Sequence, residues 1–146
     1  MTEHLAGKLR IPLLLQRLSL SAFIGVWTID KFITPSHAAG IFSHFYGIPL
    51  AENLVWLPAV AQLLLLIAFL LGLFKTISYL LMFLLHAFGT LTTTGTLFAF
   101  YGEGGNLLFW AAVPVVFAFW LQFVARDSDT LALDDVLKAR KTEAAG

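Results

Sequence analysis

The sequence contains no cysteine. That excludes, within this chain, a disulfide, a thiol relay, Cys-ligated zinc and an iron–sulfur cluster. Charge is also scarce, at 12% of residues against the ~25% usual in soluble domains. The nine basic and nine acidic residues cancel, leaving no basic excess of the kind a nucleic-acid partner requires. What fills the space instead is hydrocarbon: 59% of the residues are hydrophobic and the mean hydropathy is +0.85.

The apolar residues are grouped into four runs, residues 11–29, 54–74, 76–101 and 104–125. Each is near or above the ~20 apolar residues that a helix needs to cross a bilayer. The expected fold is therefore an all-α, four-transmembrane-helix bundle, with residues 1–127 as the membrane domain and 128–146 as a tail. The first run reads as a retained span rather than a cleaved signal: it is long, Arg17 interrupts it, and no small-x-small cleavage site follows. Lys8, Arg10, Arg17, Lys75, Arg126, Lys138, Arg140 and Lys141 fall on one side of the spans and only Lys31 on the other. This positive-inside bias puts both termini in the cytoplasm. Localisation in a bacterial inner membrane, as a multi-pass protein with the lipid bilayer as its first partner, is the corresponding expectation.

Between the runs the sequence punctuates itself. Thr34-Pro35 reads as an N-cap with proline at the first helical position, and Gly47 and Pro49 read as a stop. A short interfacial helix is expected between them on the outer side. The link around Gly72 is short enough to force spans two and three into an antiparallel hairpin. Residues 101–106 read as a tight turn, and Pro114 falls near the middle of span four. From Ser128 the tail reads as a short amphipathic helix sharing Leu133, Val136 and Leu137 on one face, with Ser128 or Asp129 as its cap. Arg17, inside the inner edge of span one, is expected to snorkel to the headgroups.

Polar residues inside apolar runs are candidates for function. His86 lies near the middle of span three, with Thr90 and Thr93 following it on the same helix. Two readings stand for it: a neutral histidine donating one hydrogen bond between helices, or a proton and hydrogen-bond partner of a ligand. Asp30 and Lys31 end span one; they either reach the headgroups or, with Thr28, floor a pocket open to the outside. Gln62 bridges helices or hydrogen-bonds a ligand carbonyl such as a quinone oxygen. Gly89 and Thr93, like Ser21 and Gly25, make small-xxx-small pairs that let helices approach. Metal binding is not expected: His37 and His44 are seven residues apart, two helical turns and about 10 Å by helical rise. Haem lacks a second histidine within the spans.

These residues carry a resemblance. Arg17-Leu-Ser-Leu-Ser21, then Gly25, then Asp30-Lys31-Phe32 with Pro35, and later Leu71-Gly-Leu-Phe-Lys75, resemble the DoxX-like family of small four-helix bacterial and archaeal membrane proteins. The resemblance covers roughly the first three spans. It implies an inner-membrane protein tied to quinone-linked or sulfur-linked redox chemistry, with Lys31 and Arg17 as matching positions. Many relatives have a glutamate where Gln62 stands, and an amide cannot titrate. The resulting expectation is a quinone-linked or accessory subunit of a membrane redox complex, at most a subunit of an oxidoreductase. In it His86, Asp30 and Lys31 would act in catalysis, and Gln62, Thr90, Thr93, Thr28 and Arg17 in ligand binding. No cofactor is expected within the chain, a quinone being the candidate ligand, and redox proteins are the candidate partners. The alternative is a non-catalytic scaffolding subunit.

Overall fold

The computed structural model describes residues 2–99, 101 and 107–144, with the side chains of 2–6 left aside. All regular structure among these residues is helical: α1 (Thr2–Ile33), α2 (Pro35–Tyr46), α3 (Trp56–Leu71), α4 (Lys75–Thr92), α5 (Thr94–Phe98), α6 (Ala112–Val124) and α7 (Leu133–Ala144), with short 3₁₀ turns between some of them. Four long helices close a ring in which α1 packs on α3, α3 on α4, α4 on α6 and α6 back on α1. The ring has two ends. One carries α2; the other carries the α3–α4 turn and the tail.

The ring is filled by Leu20, Ile24, Leu66, Phe69, Tyr79, Met82 and Phe119. Phe69 anchors it, with ring centroids 4.9 Å from Tyr79 and 5.5 Å from Phe119. Edge-on and tilted contacts of this kind suit the aromatic quadrupole. The outside is as oily as the inside: Leu64 is 63% exposed, Leu91 71% and Phe117 65%. Water would not tolerate such a continuous apolar surface, whereas lipid is its natural solvent. Three helical segments among the described residues, Gly7–Ile33, Glu52–Leu71 and Leu107–Val124, are long and apolar enough to cross a membrane.

Local chemistry explains the helix ends. α2 runs between the ends the sequence marks: Pro35 opens it and Gly47, at φ 65°, closes it by donating its N–H to Phe42 O. Thr34 occupies the N-cap position but its side chain makes no capping bond. Pro58 falls in the first turn of α3, where its missing N–H has no intrahelical partner to lose. The small pair on α1 meets α3, since a Cβ on Gly25 would come 3.9 Å from Leu66.

Several sequence expectations are corrected. Span three, expected to run to Tyr101, breaks at Thr93: α4 ends at Thr92 and α5 is a five-residue restart. The cause is threonine chemistry. The hydroxyls of Thr92 and Thr93 donate to Gly89 O and Thr90 O, at 2.8 and 2.9 Å, and that of Thr94 donates to Leu91 O. Such back-bonding competes with the helical ladder. Span four starts as a 3₁₀ turn, Leu107–Ala111, before α6, so Pro114 lies in the first turn of α6 and kinks nothing. The turn expected over residues 101–106 lies, except for Tyr101, outside the described residues. Finally, α7 begins at Leu133, so neither Ser128 nor Asp129 caps it.

Candidate functional site

The most developed polar site is at the tail end, where four segments converge. Arg17 is 2% exposed and Asp129 fully buried. Arg17 therefore does not snorkel: its Nη1 donates to Asp129 Oδ2 at 2.8 Å and to Tyr79 Oη at 2.9 Å, and its Nη2 to Leu131 O at 2.9 Å. Tyr79 passes the bond on, donating to Asp129 Oδ2 at 2.6 Å, and Gln122 Nε2 donates to the same oxygen at 2.9 Å. A buried charge costs several kcal/mol unless paired and hydrogen-bonded (~3–5 when the partner is removed), so α1, α4, α6 and the tail are held to one geometry. Arg17 Nε, Ser21 Oγ, Gln122 Oε1 and Asp129 Oδ1 are buried without a protein partner among the described residues. These atoms retain bonding capacity of the sort ordered water satisfies.

A second polar contact continues the first. Lys75 Nζ donates to Asp135 Oδ2 at 2.6 Å, to Arg126 O at 3.0 Å and to Asp129 O at 3.2 Å. Asp134 accepts from the backbone N–H groups of Phe74 and Lys75, both at 3.0 Å. Those are two of the unpaired donors at the start of α4, where the helix dipole also favours a carboxylate. The turn that makes this possible is tight. Gly72 has φ 69° and Phe74 φ 49°, and a Cβ on Gly72 would lie 2.5 Å from both Ala132 Cβ and Arg17 Nη1. Glycine is required there on both counts. Residues 129–135 thus belong physically to the bundle, while the remainder of α7 projects from it.

The residues singled out from sequence are placed differently. Thr28 is buried and donates to Ile24 O at 2.8 Å, and Thr90 donates to His86 O at 2.9 Å. With Thr93, the residue that ends α4, on Thr90 O, all three hydroxyls bond back to the preceding turn of backbone. Lys31 Nζ donates to Trp27 O at 3.0 Å, one turn back. Asp30 instead meets His37 of α2, Oδ2 to Nδ1 at 2.8 Å, which ties α2 to the end of α1. His44 stands edge-on to Phe45. His86 Nε2 lies 3.2 Å from Ala112 O, where the Nε2-protonated ring donates across from α4 to α6. Its ring is 5.4 Å from those of Phe23 and Phe119. Gln62 is 8% exposed on α3, and no hydrogen bond joins it to His86 or Thr90 among the described residues.

The structure thus brings His86 and Thr90 to one side of α4, and Asp30 and Lys31 to the α2 end, without joining the two groups. Gly89 serves α2, since a Cβ there would meet Tyr46 Oη at 3.3 Å, and Tyr46 stacks on Phe88. Burial pushes the Tyr46 phenol above its ordinary pKa, a bond to Thr92 opposing it. Beside Thr90, an apolar groove of about 260 Å³ opens between α4 and α6, lined also by Ala87, Leu91, Val113, Val116 and Phe117.

Sequence reasoning missed Gln16, Tyr79, Gln122, Asp129, Asp134 and Asp135. Gln16 Nε2 donates to Ala118 O at 2.7 Å and helps join α1 to α6. One signal was available: an arginine within an apolar run demands an acid, and the acidic stretch nearest in depth is the start of the tail. Compared with known proteins, the chain has no significant match to any family model, curated protein or solved structure.

Proposed function

We propose that this protein is a four-span subunit of the DoxX-like kind in a bacterial inner membrane, acting as an accessory, non-catalytic member of a membrane redox complex. α4 is the fourth span in this reading. At 18 residues it covers about 27 Å by helical rise, close to a hydrocarbon core of ~30 Å. Its flanks pack on α3 and α6, which are both apolar enough to span. Trp27, Trp56 and Trp110, all partly exposed on helices at the α2 end, suit a membrane–water interface. The bias of Lys and Arg toward the tail end supports a cytoplasmic location for both termini.

The observation that carries the accessory reading is that the charged pair Arg17–Asp129 and the hydroxyls of Thr28, Thr90 and Thr93 are all engaged by the chain itself, although Ser21 Oγ and Gln122 Oε1 keep free bonding capacity. Arg17, Tyr79, Gln122 and Asp129 hold the tail, and the three hydroxyls bond back to the preceding turn of backbone. Such a rigid body offers partners a fixed surface. Purification in mild detergent from the native membrane tests this. A redox protein recovered at constant stoichiometry, and retained by His86→Ala, supports it. Recovery of the chain alone contradicts it.

A quinone-binding role is the second reading, favoured by the groove between α4 and α6 beside Thr90, one turn from His86. Its apolar walls suit an isoprenoid chain; His86 lies one turn behind the groove, and its Nε2 would have to leave Ala112 O to donate to a ring carbonyl. Here His86→Ala should lower quinone turnover of the assembled complex while insertion stays normal. Unchanged turnover rules the role out.

A further inference from the structure

We propose that Lys138, Arg140 and Lys141 of α7, with Lys8 and Arg10 of α1 at the same end, form a basic surface that reads anionic lipid headgroups. The inference rests on the membrane reading above and is independent of any quinone or partner subunit. The chain is neutral overall, yet folding sorts its charges. Three tail carboxylates are engaged within the chain: buried Asp129 pairs with Arg17, and the partly exposed Asp135 and Asp134 bond Lys75 and the start of α4. Among the side chains described, what remains outside at this end without a partner is mainly basic. Lys8 and Arg10 on α1 and Lys138, Arg140 and Lys141 on α7 are exposed, against Asp127 and Glu143. None of the five cations joins an ion pair among the described residues.

The position of α7 selects lipid over a soluble acidic partner. The helix leaves the bundle at its rim. A cleft of about 230 Å³ beside it joins Lys138 to Phe74 and Ile77 at the exposed start of α4; Lys75 and Arg126 line it too, together with Asp127, Asp134 and Asp135, so the cations that face outward beyond it, not the cleft, are the lipid contact. Phe74 is 69% exposed and Ile77 61%. On α7 itself Val136 and Leu137, each 44% exposed, accompany the cations. A short helix combining exposed apolar residues with Lys and Arg, held beside a membrane-facing wall, is the form that lies in a headgroup layer. Each basic residue near an anionic surface favours association by about fivefold, so three acting together amount to about a hundredfold.

The absence of cysteine makes the test direct. Val136→Cys in the full chain is labelled with an environment-sensitive fluorophore and reconstituted in nanodiscs of phosphatidylcholine alone or mixed with phosphatidylglycerol. The expected result is a blue-shifted, quencher-protected label only with phosphatidylglycerol. The shift should be lost in high salt and in the K138Q/R140Q/K141Q background. Equal emission in both lipids overturns the proposal. If the label is exposed in both, α7 ignores the surface; if buried in both, a second copy or another part of the protein covers it. Because the three substituted residues are exposed, the triple variant should melt like the parent, and a variant that melts lower is replaced by the single K141Q, for which a partial loss of shift is expected.

Discussion

Arg17 and Asp129 show what one buried pair does in a membrane bundle. They join positions 112 residues apart, and each is almost wholly removed from solvent. Asp129→Asn should lower stability in detergent by about 3–5 kcal/mol, because it leaves the guanidinium buried and under-compensated. Replacing both, as Arg17→Met with Asp129→Leu, should recover most of that loss; thermal or denaturant unfolding of the two variants measures the difference. Equal destabilisation of the single and the double variant would mean that packing, not charge, holds the tail. Gly72→Ala should also be costly, by about 1–2 kcal/mol for the left-handed backbone alone, before its contact with Ala132 is counted. The position of Arg17 and its need for an acid near the start of the tail were legible in the sequence; which acid it takes was not. Charge spacing reports local neighbours, and a pair this far apart in the chain leaves no periodic trace.

At the scale of elements, the ends that depend on proline and glycine were readable. Pro35, Gly47 and Gly72 act through backbone geometry that their own chemistry dictates. The break in the third apolar run was not readable, because Thr92, Thr93 and Thr94 keep the run uncharged while their hydroxyls unpick its ladder. The start of α4 has the opposite history: nothing local caps it, and Asp134 arrives from another helix. Asp134→Asn removes a carboxylate from the helix N-terminus and should cost about 1 kcal/mol. Hydrogen exchange should then speed up in the first turn of α4 and in α7, leaving α3 and α6 unchanged. Faster exchange throughout the bundle would mean that the contact supports the whole ring rather than one junction. α7 was legible as an amphipathic helix, but its anchorage was not, since nothing in the sequence marks Asp134 and Asp135 as partners of the distant start of α4.

At the scale of the molecule, composition carried furthest. An outer surface rich in leucine, phenylalanine and valine, a core of leucine, isoleucine, phenylalanine, tyrosine and methionine, and a buried ion pair held within the chain fit a solvent that makes no hydrogen bonds. The candidate site was the least legible feature: the residues expected to line a common pocket are divided between the α2 end and the α4–α6 side, and the tail supplies the densest polar cluster. The account as a whole requires α2 to face one compartment and both ends of the chain the other. The most direct measurement uses single cysteines at Gly7, Ser36 and Thr142, challenged in intact cells with a membrane-impermeant maleimide. Ser36→Cys should label without permeabilisation, and Gly7→Cys and Thr142→Cys only after it. Labelling of Gly7→Cys and Thr142→Cys from opposite faces would contradict the four-span bundle.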